Sequence, residues 1–291
     1  SLHLRADRPA GAGRLDFTQA AADLERLVRA LDHGTYWNPL TTAKIWDGAR
    51  HIVVGGAEVV AGSGVPGQIL AATAEEVTVA CGQGALRLTR LTCQKGFPVD
   101  ATRLPNPLPN PTPAEALALT AALARVAPTE GATRKALFAL NPAEVPGASA
   151  APVPAFWQQV PVALPSLALA ALAAVRLSGK PEADLAYGAA HATEGILSDW
   201  VPLTVQAQGP LPEALARTEV ALHRAEAAPA FALDLLARDR RLFGLQPPAF
   251  GLGLAPVPGT VVTLTPTALH FDASRLTAVQ AQALAAWLMA F

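Results

Sequence analysis

Apolar residues first recur at helical spacing. Leu24, Leu27, Val28 and Leu31 fall at i, i+3, i+4 and i+7 and form one stripe. Asp16 with Gln19 three residues later predicts the N-terminal cap of this helix, and His33-Gly34 its end. Short alternating runs follow at Ile52–Val54, Gln68–Leu70, Val77-Val79-Cys81 and Leu86-Leu88. Gly55-Gly56, Gly62–Gly67 and Gly82–Gly84 separate them, which predicts a small antiparallel sheet or barrel.

Six prolines between Pro98 and Pro113 interrupt the pattern, and Asn106-Pro107 and Asn110-Pro111 favour extended or turn geometry. A domain boundary is expected there, with residues 1–104 before it and 105–291 after. Thr112-Pro113-Ala114-Glu115 then supplies a cap, a first-turn proline and a capping-box glutamate for a new helix. Ser166–Leu177 is apolar on all sides and reads as a buried helix. Val201, Leu203 and Val205 alternate as a strand, and Pro212 opens a helix reaching about Ala227. Val261–Thr265 and Leu269–Phe271 read as a hairpin, and Thr277 with Gln280 caps a last helix ending near Phe291. No internal repeat is visible.

Composition narrows the function classes. A formal charge of −1 disfavours a nucleic-acid surface, which needs a basic excess. Only Cys81 and Cys93 are present. One disulfide can be drawn between them, but two reduced thiols in a cytoplasmic protein is the simpler reading. The longest apolar stretch, Leu167–Val175, is far shorter than a bilayer crossing, so no membrane association is expected. The start Ser1-Leu-His-Leu-Arg has neither an apolar signal region nor an initiator Met, and a piece of a longer polypeptide is expected.

Chemistry-bearing patterns give way to simpler readings. Gly62-Ser-Gly-Val-Pro-Gly67 matches G-x-G-x-x-G, but Pro66-Gly67 leads into a strand and not the helix a dinucleotide site needs. Ser63 has Ala61 two residues before it, so it lacks the nucleophile-elbow context. His3, His33, His51, His191, His223 and His270 show no metal-ligand spacing. His191 with Glu194 is the one imidazole–carboxylate pair worth weighing for general base work, and a structural histidine is the simpler account. Arg238-Asp239-Arg240-Arg241 reads as a solvated charge cluster at a helix end, and packing suffices for Trp37. No catalytic, cofactor-binding or metal residue is assigned, and no cofactor is expected.

Two resemblances organise these observations. Leu27-Val-Arg-Ala-Leu31, Asn38-Pro-Leu40, Thr42-Ala-Lys-Ile-Trp46, Gly64-Val-Pro-Gly-Gln-Ile-Leu70 and Val79–Leu88 resemble the C-terminal domain of methionyl-tRNA formyltransferases, from about Gly13 to Arg103. That resemblance implies a small open barrel of OB-like type. It also implies that the catalytic Asn, His and Asp and the formyl-tetrahydrofolate pocket belong to a preceding domain, with Ser1–Arg14 as a linker. Leu31–Pro39 looks closer to formyltransferase-like modules of peptide-synthetase assembly lines.

From about Pro113 to Phe291 the chain resembles the C-terminal lobe of nonribosomal peptide synthetase condensation domains, a fold related to chloramphenicol acetyltransferase. The residues that carry this are Ala168–Gly179, Asp184–Gly188, Gly195–Val205, Phe231–Asp239 and Leu269–Phe291. The family's His-His-x-x-x-Asp-Gly is not among them. Asp199 or its neighbours, and Thr204, stand where the family has an Asn and an Arg.

The expected fold class is α+β: an OB-like open β-barrel followed by an α/β half-domain like one lobe of the condensation fold. The expected function is a non-catalytic structural or interaction module of a bacterial natural-product peptide synthetase, docking an adjacent adenylation domain or carrier protein in the cytoplasm. The alternative is an accessory part of an N-formyltransferase whose catalytic domain lies upstream. A degenerate acyltransferase using His191 is a third reading.

Overall fold

The structure is a computed structural model and describes residues 7–149, 155–189, 195–228 and 230–291. The elements run in the order α1 (Ala21–Leu31), β1 (Lys44–Trp46), β2 (His51–Val60), β3 (Ile69–Ala72), β4 (Glu76–Ala80), β5 (Ala85–Cys93), α2 (Pro113–Val126) and α3 (Glu130–Phe138). There follow β6 (Trp157–Pro161), α4 (Leu167–Leu177), β7 (Glu182–Gly188), β8 (Trp200–Gln206), α5 (Leu211–Ala227) and α6 (Leu235–Arg238). β9 (Phe250–Leu252), β10 (Val262–Leu264), β11 (Ala268–Asp272) and α7 (Ala278–Ala290) complete the chain. The class is α+β, as expected.

The described residues form two compact units. The first holds 7–134, 195–197 and 231–245; the second holds 135–149, 155–189, 198–228, 230 and 246–291.

In the first unit five antiparallel strands form an open sheet in the order β1-β2-β5-β4-β3. Gly55-Gly56 was expected to be a turn, but it lies inside β2. There Arg90 of β5 takes a left-handed φ of 55°, and a Cβ on Gly55 would meet the Arg90 Cβ at 2.9 Å. Missing side chains on β2 thus admit an irregular residue on β5, which curls the sheet. Leu24, Val28 and Leu31 of α1 pack with Phe17, Ile45, Ile52, Val77, Val79, Leu86 and Leu88 to fill one face.

The helix α1 starts at Ala21 without a side-chain cap, so the Asp16–Gln19 cap is corrected. The Asp16 carboxylate instead accepts from the Thr18 amide and hydroxyl, at 3.0 and 2.7 Å. The Gln83 carbonyl takes the amide of Ala21 (2.9 Å), while the Gly82 amide bonds the Phe17 and Gln19 carbonyls. A barrel loop therefore caps this helix.

The first unit runs on past the proline-rich segment, which is laced onto β3. The Asn106 side chain accepts from the Ile69 amide (2.9 Å) and donates to its carbonyl (3.3 Å). Leu108 is buried, and Asn110 bridges the Phe17 amide and the Pro66 carbonyl. These contacts cover an edge strand that would otherwise expose unpaired backbone. α2 carries the expected capping box and first-turn proline, and its Thr120 hydroxyl accepts from the Gly11 amide.

The second unit is a six-stranded mixed sheet, β6-β11-β10-β9-β7-β8, with β9 parallel to both neighbours. α4 is buried nearly all round and packs against α5, α7 and the strands β7, β8 and β9. The β10–β11 hairpin and the Thr277–Gln280 capping box occur as expected.

Gly82 is the point where the loop capping α1 tolerates no side chain, since a Cβ there would lie 2.0 Å from the Thr18 carbonyl oxygen. Gly82→Ala is expected to lower stability by about 1–3 kcal/mol in a urea titration, with the denaturant slope unchanged.

Candidate functional site

Alternation along β1 sends Ile45 into the barrel core and puts Lys44 and Trp46 on the opposite face. Register carries this onto β2: Lys44 faces Val53, Ile45 faces Ile52 and Trp46 faces His51. That second face is covered within the same unit, and its polar groups are buried. Lys44 is 0% and His51 2% exposed.

Lys44 donates from Nζ to acceptors on four groups: the Ala12 carbonyl (2.8 Å), Thr41 Oγ1 (2.7 Å), the Thr42 carbonyl (2.9 Å) and Asp234 Oδ2 (2.9 Å). The Ala12 carbonyl faces it because Gly11, Ala12 and Gly13 all take left-handed φ, of 60°, 53° and 80°. A Cβ on Gly13 would lie 2.4 Å from the Thr42 carbonyl oxygen, so glycine is required there. Asp234 Oδ2 also accepts from the Thr41 hydroxyl (2.7 Å) and from the Thr42 amide (2.9 Å) and hydroxyl (3.0 Å).

One helical turn on, Arg238 approaches Asp234 Oδ1 through Nε at 3.2 Å and grips both oxygens of Glu130. It also donates to the Asn38 carbonyl (3.1 Å). Trp37 lies under two guanidinium groups, Arg134 at 4.3 Å and Arg238 at 5.3 Å from its ring centroid. Asp239 bonds Arg134 and Arg241.

Burial pushes the Lys44 ammonium below its ordinary value, with Asp234 opposing the shift. Burial also opposes ionisation of Asp234, but the Arg238 and Lys44 charges outweigh it and hold that carboxyl far below the usual carboxylate range. At Asp239 burial is likewise outweighed, by the Arg241 and Arg134 hydrogen bonds, and its carboxyl falls to about 2.

Beside this network, Arg14, Trp46, Ala49, His51, Glu115, Leu119 and Gly195 line a cavity of about 370 Å³. The His51 ring lies 4.7 Å from that of Trp46, and neither ring nitrogen makes a hydrogen bond of normal geometry. Burial first, then the Lys44 and Arg14 charges, push His51 down to about 4, so its imidazole is neutral at pH 7.

Two expectations are corrected here. The Arg238–Arg241 cluster is not a solvated face: Arg238 and Asp239 are buried, and only the arginines after them reach solvent. Trp37 is more than packing, being the platform for two cations. His191 and Glu194 lie outside the described residues. Cys81 and Cys93 are free, and burial pushes the Cys81 thiol up to about 11. Asp199 is exposed, and Thr204 donates to Asp184 across the β7–β8 pair (2.6 Å). Gly62–Gly67 precedes strand β3, as the turn reading required. Among the described residues no group of three or more His, Cys, Asp or Glu could hold a metal ion, and no helix is long and apolar enough to cross a membrane.

Sequence reading missed Lys44, Asp234, Glu130 and His51. One signal was present. Asp234 and Arg238 stand four apart in the otherwise apolar Phe231–Arg238, a spacing that puts an acid and a base on one helix face.

The barrel geometry meets its counterpart among known proteins. Residues 10–107 match the family model of the formyl transferase C-terminal domain. The expected span, Gly13–Arg103, lies inside that match. Methionyl-tRNA formyltransferase of Ectopseudomonas mendocina is 46% identical over 93 residues, which is 32% of this chain and 28% of that protein. The enzyme of the same name from Pseudomonas syringae pv. syringae is 43% identical over the same shares. The chain thus spans just over a quarter of the length of these relatives. Condensation domains are among the solved structures it is similar to. The starter condensation domain of rhizomide synthetase RzmA gives a TM-score of 0.41 at 13% identity, covering 60% of this chain and 54% of that one.

Removing one buried charge should expose the logic of the network. Asp234→Asn leaves Lys44 without its nearest counter-charge, and an expected loss of about 3–5 kcal/mol is checked by chemical denaturation. A second outcome follows from His51, whose folded value of about 4 lies below its ordinary 6.5. A depressed histidine stabilises the fold above 6.5, and that contribution is lost as pH falls from 6.5 through 4. Stability should therefore drop over this window by up to about 3 kcal/mol, and His51→Phe should flatten the drop in pH-resolved melts.

Proposed function

We propose that this chain is a non-catalytic interaction module of a larger bacterial peptide-synthetase-like enzyme, working in the cytoplasm and docking an adenylation domain or carrier protein of the same assembly line. The observation that carries the reading is the use made of the buried charges. Lys44, Asp234, Arg238 and Glu130 bond one another and tie residues 231–245 into the formyltransferase-like unit. A formyl transferase C-terminal fold knitted to later sequence in this way suits a fixed platform better than a detachable accessory domain.

A second reading has its own support. The 46% identity to a methionyl-tRNA formyltransferase over 93 residues favours an accessory part of an N-formyltransferase whose catalytic domain lies upstream.

Calorimetric titration of the 291-residue chain against the neighbouring adenylation and carrier domains, with formyl-tetrahydrofolate and tRNA in parallel, separates the two. The expected result is saturable association with one of the domains, at about micromolar strength, and silence toward the other ligands. Binding of tRNA or the folate without domain association sinks the docking reading and puts the formyltransferase reading first.

A further inference from the structure

The strand β8 is an edge of the second unit's sheet: β7 pairs one side of it, and among the described residues no strand pairs the other. Which residues face the open side follows from the ladder. The Ala189 amide donates to the Asp199 carbonyl and the Ala207 amide to the Pro181 carbonyl, both at 2.8 Å. In an antiparallel pair every second residue bonds the partner strand. Val201, Leu203 and Val205 therefore bond toward β7, while Trp200, Pro202, Thr204 and Gln206 turn their backbone groups outward. Pro202 fits this assignment, since a strand proline belongs where its missing N–H would face solvent.

Of the outward amides, that of Trp200 is taken by Ser198 Oγ at 3.2 Å, and Pro202 has none. The backbone groups of Thr204 and Gln206 remain. Their side chains do not fold over them: Thr204 Oγ1 donates to Asp184 (2.6 Å) and Gln206 Nε2 to Glu182 (2.9 Å), both across the pair on β7. Thr204 and Gln206 line an open groove of about 520 Å³, and α5 supplies its other wall through Arg217, Val220 and Arg224. An extended chain laid there can exchange N–H···O bonds with both residues, as a seventh strand of the sheet.

Charge selects the segment. No carboxylate lines the groove, while Arg217 and Arg224 stand two helical turns apart, about 10 Å along the axis, with Val220 between. Arg217 donates to the Gln208 carbonyl, and Arg224 makes no ion pair among the described residues. Leu203 and Val205 share a core with Ala214 and Leu222 of α5, so Glu182 and Asp184 mark the opposite face of the strand pair. A seventh strand would thus meet arginines on one face and carboxylates beside the other. We propose that this groove binds an extended acidic peptide segment by strand addition to β8. Acidic, apolar and acidic residues take alternate positions on the α5 side, with uncharged residues between them. Three alternate strand positions span about 13 Å, within reach of two long arginine side chains. The groove would take such a segment whether the chain docks a synthetase domain or serves a formyltransferase.

The test titrates the isotope-labelled full chain with the peptide acetyl-Thr-Glu-Thr-Val-Thr-Glu-Thr-amide, its glutamine-for-glutamate counterpart and a backbone N-methylated copy. NMR follows the Thr204 and Gln206 amides and their hydrogen exchange. Saturable shifts with slowed exchange are expected for the acidic peptide, at a Kd of about 0.1–1 mM in low salt. The glutamine peptide should bind at least about fivefold more weakly, and Arg224→Gln should weaken the acidic peptide about three- to fivefold. The N-methylated copy should be silent, and Thr204→Pro, which removes an outward amide, should abolish binding. Absence of saturable shifts at the two amides overturns the proposal, as does a response confined to α5, the mark of a simple ion contact. Equal binding of the glutamine peptide, or unchanged binding by a folded Thr204→Pro protein, overturns it too. Should Thr204→Pro fail to fold, unchanged binding of the N-methylated copy is equally decisive against it. Protection of these amides that rises with the concentration of the free chain would make a second copy the occupant and also sink the proposal.

Discussion

The buried pair Lys44–Asp234 is the constraint on which the first unit depends. An ammonium at 0% exposure loses several kcal/mol of hydration, and only a charge in contact offsets that. The counter-charge comes from 190 positions further along the chain. Closing so long a loop costs little more entropy than closing a short one, because the cost grows only with the logarithm of length. The penalty of an unpaired Lys44, about 3–5 kcal/mol, exceeds that increment. The later segment must therefore come to β1, and Glu130, Arg238 and Trp37 assemble around the contact it makes.

This explains how β1 and the start of β2 are covered on both faces. An antiparallel strand with one solvated face shows apolar and polar residues in alternation, with the polar ones wet. Here the alternation is kept, but the polar face is dry. Ile45 and Ile52 serve the barrel core, while Lys44 and His51 serve a second, charged layer. Apolar burial drives the first face. On the second, pairing and directional hydrogen bonds hold the segment, which is why an ordinary outward-facing lysine pattern conceals a buried one.

That difference decides what was legible in the sequence. The Thr112–Glu115 and Thr277–Gln280 caps, the helix α4 and the β10–β11 hairpin were readable because their bonds close within a few residues. The cap of α1 was not, since a carbonyl from another loop satisfies it. Gly55-Gly56 has turn composition but serves a bend inside a strand, and the proline-rich stretch has linker composition but pairs through Asn106 with a sheet edge. The three-residue strands β1 and β9 are too short to show a period. Arg238 was taken for a surface charge because the partner that buries it, Glu130, lies 108 positions away. For the same reason His51 gave no signal: its burial depends on covering residues that local pattern cannot bring to it.

Why a charge layer should do this, and not leucines, follows from the segment it holds. Phe231-Ala-Leu-Asp-Leu-Leu-Ala-Arg238 is apolar apart from Asp234 and Arg238. Against a purely apolar β1 face such a stretch could shift by a residue or more at small cost, since aliphatic contacts are non-directional. Asp234 Oδ2 accepts from Thr41, Thr42 and Lys44 within 3.0 Å, and a shift of one residue would break every one of these bonds while leaving Lys44 buried. The network thus adds less to net stability than its distances suggest, because desolvation consumes most of the Coulomb gain, but it penalises each wrong register heavily. A fixed register is also what sets Gly195 over His51. Ile196 and Leu197 bond the same later segment, the Leu233 amide donating to the Ile196 carbonyl at 2.8 Å and Leu197 bridging Ala232. The Lys44 charge that secures the segment also helps keep the His51 ring neutral, so the contact that sets the shape of the cavity sets its chemistry as well.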